Sequence, residues 1–177
     1  MLPRLFLAPL LSVALMAGPA VAAAQTVILV RHAEKADDSK DPDLSPAGLA
    51  RAEALAGALA GARLSRVLTT PLKRTVQTGF PAALATGLTP TSVSLAGGAA
   101  AHAARVAAAA REAPEDAVVL VVGHSNTVPD IARALGDPDP EPLGDCDYDR
   151  MTILVLGEPG APAKAVHARY GAASPAC

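Results

Sequence analysis

The feature that most constrains the fold is a series of short aliphatic, β-branched runs with helical patterns between them. Thr26-Val27-Ile28-Leu29-Val30 and Ala117 to Val122 show no polar alternation, so each reads as a strand covered on both faces. Arg66-Val67-Leu68-Thr69-Thr70 is another strand, and Thr91 to Leu95 a weak one. Ser45-Pro46 opens a helix as N-cap and first-turn proline. That helix is expected to reach about Ala60, with Leu49, Ala52, Leu55 and Leu59 on its buried stripe. Pro71 starts a second helix, expected to break near Gly79-Phe80-Pro81 because Pro81 has no backbone donor. Gly98 to Ala113 is an Ala-rich helix, and Thr127 to Leu135 a short one closed by Gly136. Met151 to Gly157 and Ala163 to Arg169 form a final hairpin. Strands alternating with helices predict an α/β fold, a three-layer α/β/α sandwich. Its central sheet is mostly parallel, with an antiparallel C-terminal edge. The 177 residues suit one such domain.

Residues 1–24 stand outside this pattern. Arg4 precedes an apolar run, Leu5 to Met16, and Ala22-Ala23-Ala24 precedes Gln25. Those three parts, in that order, predict a signal peptide over 1–24 and a mature domain over 25–177. Cleavage after Ala22 would move that boundary slightly. A buried first helix is the alternative, and the run is too short to span about 30 Å of hydrocarbon. The protein is therefore expected to be exported, periplasmic or secreted, with no stable membrane insertion after cleavage. Export makes a bridge between Cys146 and Cys177 reasonable, two free thiols being the alternative. Such a bridge closes a loop of about 30 residues, worth roughly 3–4 kcal/mol in the chain-entropy picture. The net charge of -2 argues against a nucleic-acid partner. With 51% hydrophobic and 18% charged residues, the chain is not a disordered one.

In open α/β sheets, ligands bind beyond the carboxyl ends of the strands. Arg31 and His32 end the first strand, and His124 follows the Ala117 to Val122 strand. Arg74 lies on the first helical turn after the second strand. Taken singly, each residue is most simply a satisfied or solvated polar group. Together they make a phosphoryl-transfer set. Two guanidinium forks can hold phosphate oxygens and offset charge in the transition state. A neutral imidazole between them can attack phosphorus, and water can then hydrolyse the phosphohistidine. The guanidiniums keep that imidazole neutral, and His124 adds a donor. The set calls for a small phosphorylated substrate, with no metal and no cofactor.

Val30-Arg31-His32-Ala33-Glu34 resembles the signature of the histidine phosphatase (phosphoglycerate mutase-like) superfamily. Leu44-Ser45-Pro46-Ala47-Gly48, Thr69 to Thr78 and Val121 to Asn126 match further motifs in the same order. The resemblance covers about Val27 to Leu135. It implies His32 as the phosphorylated nucleophile, with Arg31, Arg74 and His124 completing the phosphate pocket. A backbone carbonyl that orients the nucleophile is also implied.

One part of the family pattern is missing. Many members carry a carboxylate general acid between the second arginine and the second histidine, yet Gly87 to Ala110 contains no Asp or Glu. His102 and Arg105 are the ionisable side chains there, and His102 reads more simply as an exposed residue of an Ala-rich helix. Glu34 and the Asp37 to Asp43 loop are other weak candidates for the acid. The short interval before His124 lacks the insertion and extra basic residues that a mutase needs, which leaves a compact phosphatase. Its form is similar to the small phosphohistidine phosphatases, although those act inside cells. The main expectation is hydrolysis of phosphate monoesters or phosphoramidates, with a non-catalytic phospholigand-binding module of the same fold, or a phosphohistidine phosphatase, as the alternative. Asp145-Cys146-Asp147-Tyr148-Asp149 lacks the glycine and glutamate of a calcium loop. The Asp137 to Asp149 segment reads as a solvated acidic loop, and His167 as structural.

Overall fold

The computed structural model describes residues 24–158 and 160–176. The expected signal peptide, apart from Ala24, lies outside the described residues, as does Cys177. Within them, β1 (Thr26–Arg31), β2 (Leu64–Thr69), β3 (Thr91–Ser92) and β4 (Val118–Gly123) alternate with helices. These are α1 (Pro46–Ala58), α2 (Lys73–Ala85), α3 (Gly98–Arg111) and α4 (Val128–Ala134). The hairpin of β5 (Arg150–Val155) and β6 (Lys164–Arg169) completes the sheet, in the order β3-β2-β4-β1-β5-β6. β1 pairs in parallel with β4, and β4 and β3 pair in parallel with β2. β5 runs antiparallel to β1, and β6 antiparallel to β5. The three-layer, mostly parallel sandwich with an antiparallel edge is the observed fold.

The central strands are buried on both faces because successive side chains point to opposite sides. Val27 and Leu29 pack with Val106, Ala110 and Ile131 of α3 and α4. Ile28 and Val30 pack with Leu55 of α1 and Ala83 of α2. This double coverage explains the apolar runs of β1 and β4.

Three expectations about the elements need correction. Leu49 is 53% exposed, and the buried stripe of α1 is Gly48, Arg51, Ala52 and Leu55. Gly48 sets that rotation: a Cβ there would come within 2.3 Å of the Glu34 carbonyl oxygen. Only glycine lets α1 sit on the backbone just after His32, and Leu49, about 100° further round the helix, turns outward. Secondly, α2 does not break near Gly79; it runs through Pro81. Its buried residues Thr75, Thr78, Gly79, Ala82 and Ala83 lie on both sides of the proline, so packing outweighs one missing hydrogen bond. Thirdly, β3 has only two residues, both exposed, because it lies at the sheet edge with β2 as its one partner.

Candidate active site

β1 and β4 end side by side, with Arg31 opposite Gly123. The His32 amide continues the ladder, donating to the Gly123 carbonyl at 2.9 Å. His32 and His124 therefore leave adjacent parallel strands, and their ring centroids stand 5.3 Å apart. His32 is buried, and its Nδ1 lies 2.8 Å from the Ala33 carbonyl oxygen. A carbonyl only accepts, so Nδ1 carries the proton and Nε2 keeps its lone pair. This is the backbone carbonyl implied by the family resemblance.

Threonines brace the surrounding segments. Thr78 Oγ1 accepts from the Ala33 amide at 2.9 Å and donates to the Arg74 carbonyl at 2.7 Å. That joins the segment after His32 to the first turn of α2. Thr127 Oγ1 accepts from the His124 amide at 2.9 Å. The Nε2 of His124 lies 3.2 Å from Thr70 Oγ1, which lies 2.8 Å from Thr75 Oγ1.

Both predicted arginines reach this place. The Nη1 of Arg31 donates to the Gly144 carbonyl at 2.8 Å, and its guanidinium carbon sits 4.3 Å from the centre of the Tyr148 ring. Arg74 lies near Asp41, with 4.0 Å between Nη1 and Oδ1. The Nε atoms of Arg31 and Arg74 are both buried without a protein hydrogen-bond partner. Arg31, His32, Lys35, Lys40, Arg74 and His124 all line one open cavity of about 460 Å³. Among the described residues no Asp or Glu lines it.

Burial lowers the His32 pKa to about 4; the Ala33 carbonyl opposes the shift, and Arg31 and Arg74 add to it. Burial, then the charges of His32 and Arg74, lower His124 to about 3. Both rings are neutral at pH 7. Because protonation of His32 begins only as pH approaches 4, an acid limb in kcat/KM is expected near pH 4. A pH–rate profile corrected for substrate ionisation checks this; a limb near the ordinary histidine value of about 6.5 contradicts it.

The other sequence candidates are placed elsewhere. His102 is buried, not exposed as expected, and its Nδ1 donates to the Ser94 carbonyl at 3.0 Å. Packing against the sheet turns that side of α3 inward, and His102 does not line the cavity. Glu34 is gripped by buried Arg51, with 2.7 Å between Oε1 and Nη2. Arg51 also donates to the Ala172 carbonyl at 2.8 Å, so this pair ties β1 to the C-terminal tail. The Asp37 to Asp43 loop contributes Ser39 and Lys40 to the cavity rather than its acids. The loop before β5 is not merely solvated, because Gly144 and Tyr148 hold Arg31. Asp147 accepts from the Gly144 amide within the loop, and Asp149 accepts from the Ser174 hydroxyl of the C-terminal tail. His167 lies on β6, 3.6 Å from a carboxylate oxygen of Glu141.

Sequence reasoning missed Thr127, Arg51, Gly144 and Tyr148. The sole hint to Tyr148 is that it is one of two tyrosines in the chain. Thr70 and Thr78 lay within a recognised motif, but nothing in it revealed their partners.

The sequence model of the histidine phosphatase superfamily (branch 1) matches residues 27–95, from β1 to just beyond β3. Over those residues the chain is similar to the histidine phosphatase superfamily. Solved structures overlay on most of the chain. The SixA-type protein of Nakamurella multipartitia is 25% identical, with a TM-score of 0.61 over 85% of this chain and 99% of that one. The protein histidine phosphatase SixA, solved with tungstate, gives 0.63 at 21% identity, over 82% and 95% of the two chains. A mycobacterial glucosyl-3-phosphoglycerate phosphatase, solved with VO3, gives 0.61 at 16% identity, over 84% and 99%. The last two likenesses are of fold. No curated protein matches the chain by sequence.

Proposed function

We propose that this protein is an exported, metal-independent phosphatase working through a phosphohistidine on His32. One observation carries the reading: a neutral imidazole, its Nδ1 proton engaged by Ala33, shares a cavity with two arginines whose buried Nε donors have no protein partner. Arg31 and Arg74 hold the phosphoryl oxygens, and His124 lines the other side. The His32 Nε2 lone pair attacks phosphorus. The bond to the leaving group breaks, and that group departs with the bonding electrons and takes a proton from solvent. Water then attacks the phosphohistidine, the P–N bond breaks, and phosphate leaves with Nε2 restored. Donors aimed at the developing charge lower the barrier in both steps.

The substrate class follows from the lining. With no carboxylate in the cavity, groups that depart without strong acid assistance are favoured: phosphoramidates, including phosphohistidine, and aryl phosphates. SixA among the structural relatives supports the phosphoramidate reading. Residues 1–24 are the export signal in this account. The disulfide-bonded state of Cys146 supports an oxidising compartment, periplasmic or extracellular.

A substrate panel tests the proposal. General acid assistance is worth about 10²–10⁴-fold, so phosphoimidazole and p-nitrophenyl phosphate are expected to exceed an alkyl phosphate in kcat/KM by about 10²-fold or more. Equal turnover of the alkyl phosphate contradicts the acid-free site. Phosphate binding without turnover of any substrate points instead to a phospholigand-binding module, for which the missing carboxylate is the favouring observation.

A further inference from the structure

Arg31 is positioned from outside its own strand. Its two contacts beyond β1, the Gly144 carbonyl and the Tyr148 ring, belong to one turn just before β5. Within the turn, the Gly144 amide donates to Asp147 Oδ2 at 2.8 Å. The turn is then fastened by a residue far along the chain. Ser174 Oγ accepts from the Tyr148 amide at 2.8 Å and the Asp149 amide at 2.9 Å, and donates to Asp149 Oδ1 at 2.6 Å. Those three bonds use both lone pairs and the one proton of a hydroxyl. Asp149 is buried and also accepts from Arg169 Nη1 at 2.8 Å. Burial pushes its carboxyl up, but the hydrogen bonds from Ser174 and Arg169 hold it at about 2. The anchor therefore stays ionised throughout the working range. Cys146, disulfide-bonded, lies in the same turn.

We propose that the C-terminal tail is part of the phosphate site, with Ser174 as a positioning residue that holds the Gly144–Asp149 turn and, through Gly144 and Tyr148, the Arg31 guanidinium. This rests on Arg31 being a phosphate ligand. Losing the Ser174 hydroxyl releases the amides of Tyr148 and Asp149, so Arg31 loses a rigid partner. Binding of a tetrahedral anion weakens more than the chemical step, since His32 keeps its own carbonyl partner.

Tungstate affinity and steady-state turnover of p-nitrophenyl phosphate, measured on the oxidised protein, test this. Ser174→Ala is expected to raise the tungstate Kd and the KM about tenfold, comparable to one charge-assisted hydrogen bond, with kcat kept within about threefold. Ser174→Thr, which keeps the hydroxyl, is expected to restore both. Tyr148→Leu carries the same expectation and leaves the Ser174 bonds in place, which covers the case of a poorly folded Ser174→Ala. In an Arg31→Ala background, Ser174→Ala should add nothing, since it acts through Arg31. Unchanged tungstate affinity in Ser174→Ala and Tyr148→Leu, with affinity lost in Arg31→Ala, overturns the tail's role alone. Unchanged affinity in Arg31→Ala overturns the phosphate-site reading itself.

Discussion

Replacing His32 by alanine is expected to lower kcat by about 10⁴-fold or more, the scale seen when a covalent nucleophile is removed. Anion binding should survive. The Arg31 guanidinium is held by Gly144 and Tyr148, and that of Arg74 lies against the Lys40 carbonyl and Asp41, not against the imidazole. The tungstate Kd of His32→Ala is thus expected to stay within about tenfold of the parent protein. Turnover assays beside a binding titration read the two effects separately. A variant that keeps even a hundredth of the parent kcat contradicts nucleophilic attack by His32.

Arg74→Ala should have the second largest effect, a loss of about 10²–10³-fold in kcat/KM, as for removal of one preorganised donor from a developing anion. Its Nε is buried with no protein partner, and the Thr78 bond to its carbonyl holds its turn of α2 against Ala33. Lysine in its place should recover only part of the loss, because a point charge lacks the planar fork. Arg74 also contributes to the low pKa of both histidines. Removing that positive charge makes their protonation easier, so the acid limb should move upward from about pH 4. Steady-state kinetics across pH tests both statements; an unchanged kcat/KM contradicts the clamp.

The parts of this site that were legible in the sequence are those written locally. β1 and β4 are covered on both faces, and such strands show as unbroken aliphatic runs. Arg31, His32, Arg74 and His124 each lie at or just after a strand end, where the topology of a parallel sheet gathers side chains. What escaped depends on contacts distant in sequence. Tyr148 is set against Arg31 by Ser174, and no periodicity records a bond across 26 residues. Nothing local to Arg51 records its partners, Glu34 and the carbonyls of Tyr170 and Ala172. His102 looked exposed because alanines do not reveal which side of α3 meets the sheet. Pro81 misled because its local cost was visible and the compensating burial of Thr78 and Ala82 was not. Leu49 faces outward because Gly48, which has no side chain to mark it as a packing position, is the residue set against the Glu34 backbone.

The most direct measurement is rapid acid-free quenching of the protein during turnover of a ³²P-labelled substrate, followed by peptide mapping. The account predicts a base-stable, acid-labile phosphoryl group on the Nε2 of His32, absent from His32→Ala. Turnover with no such label, or a label on any other side chain, contradicts it.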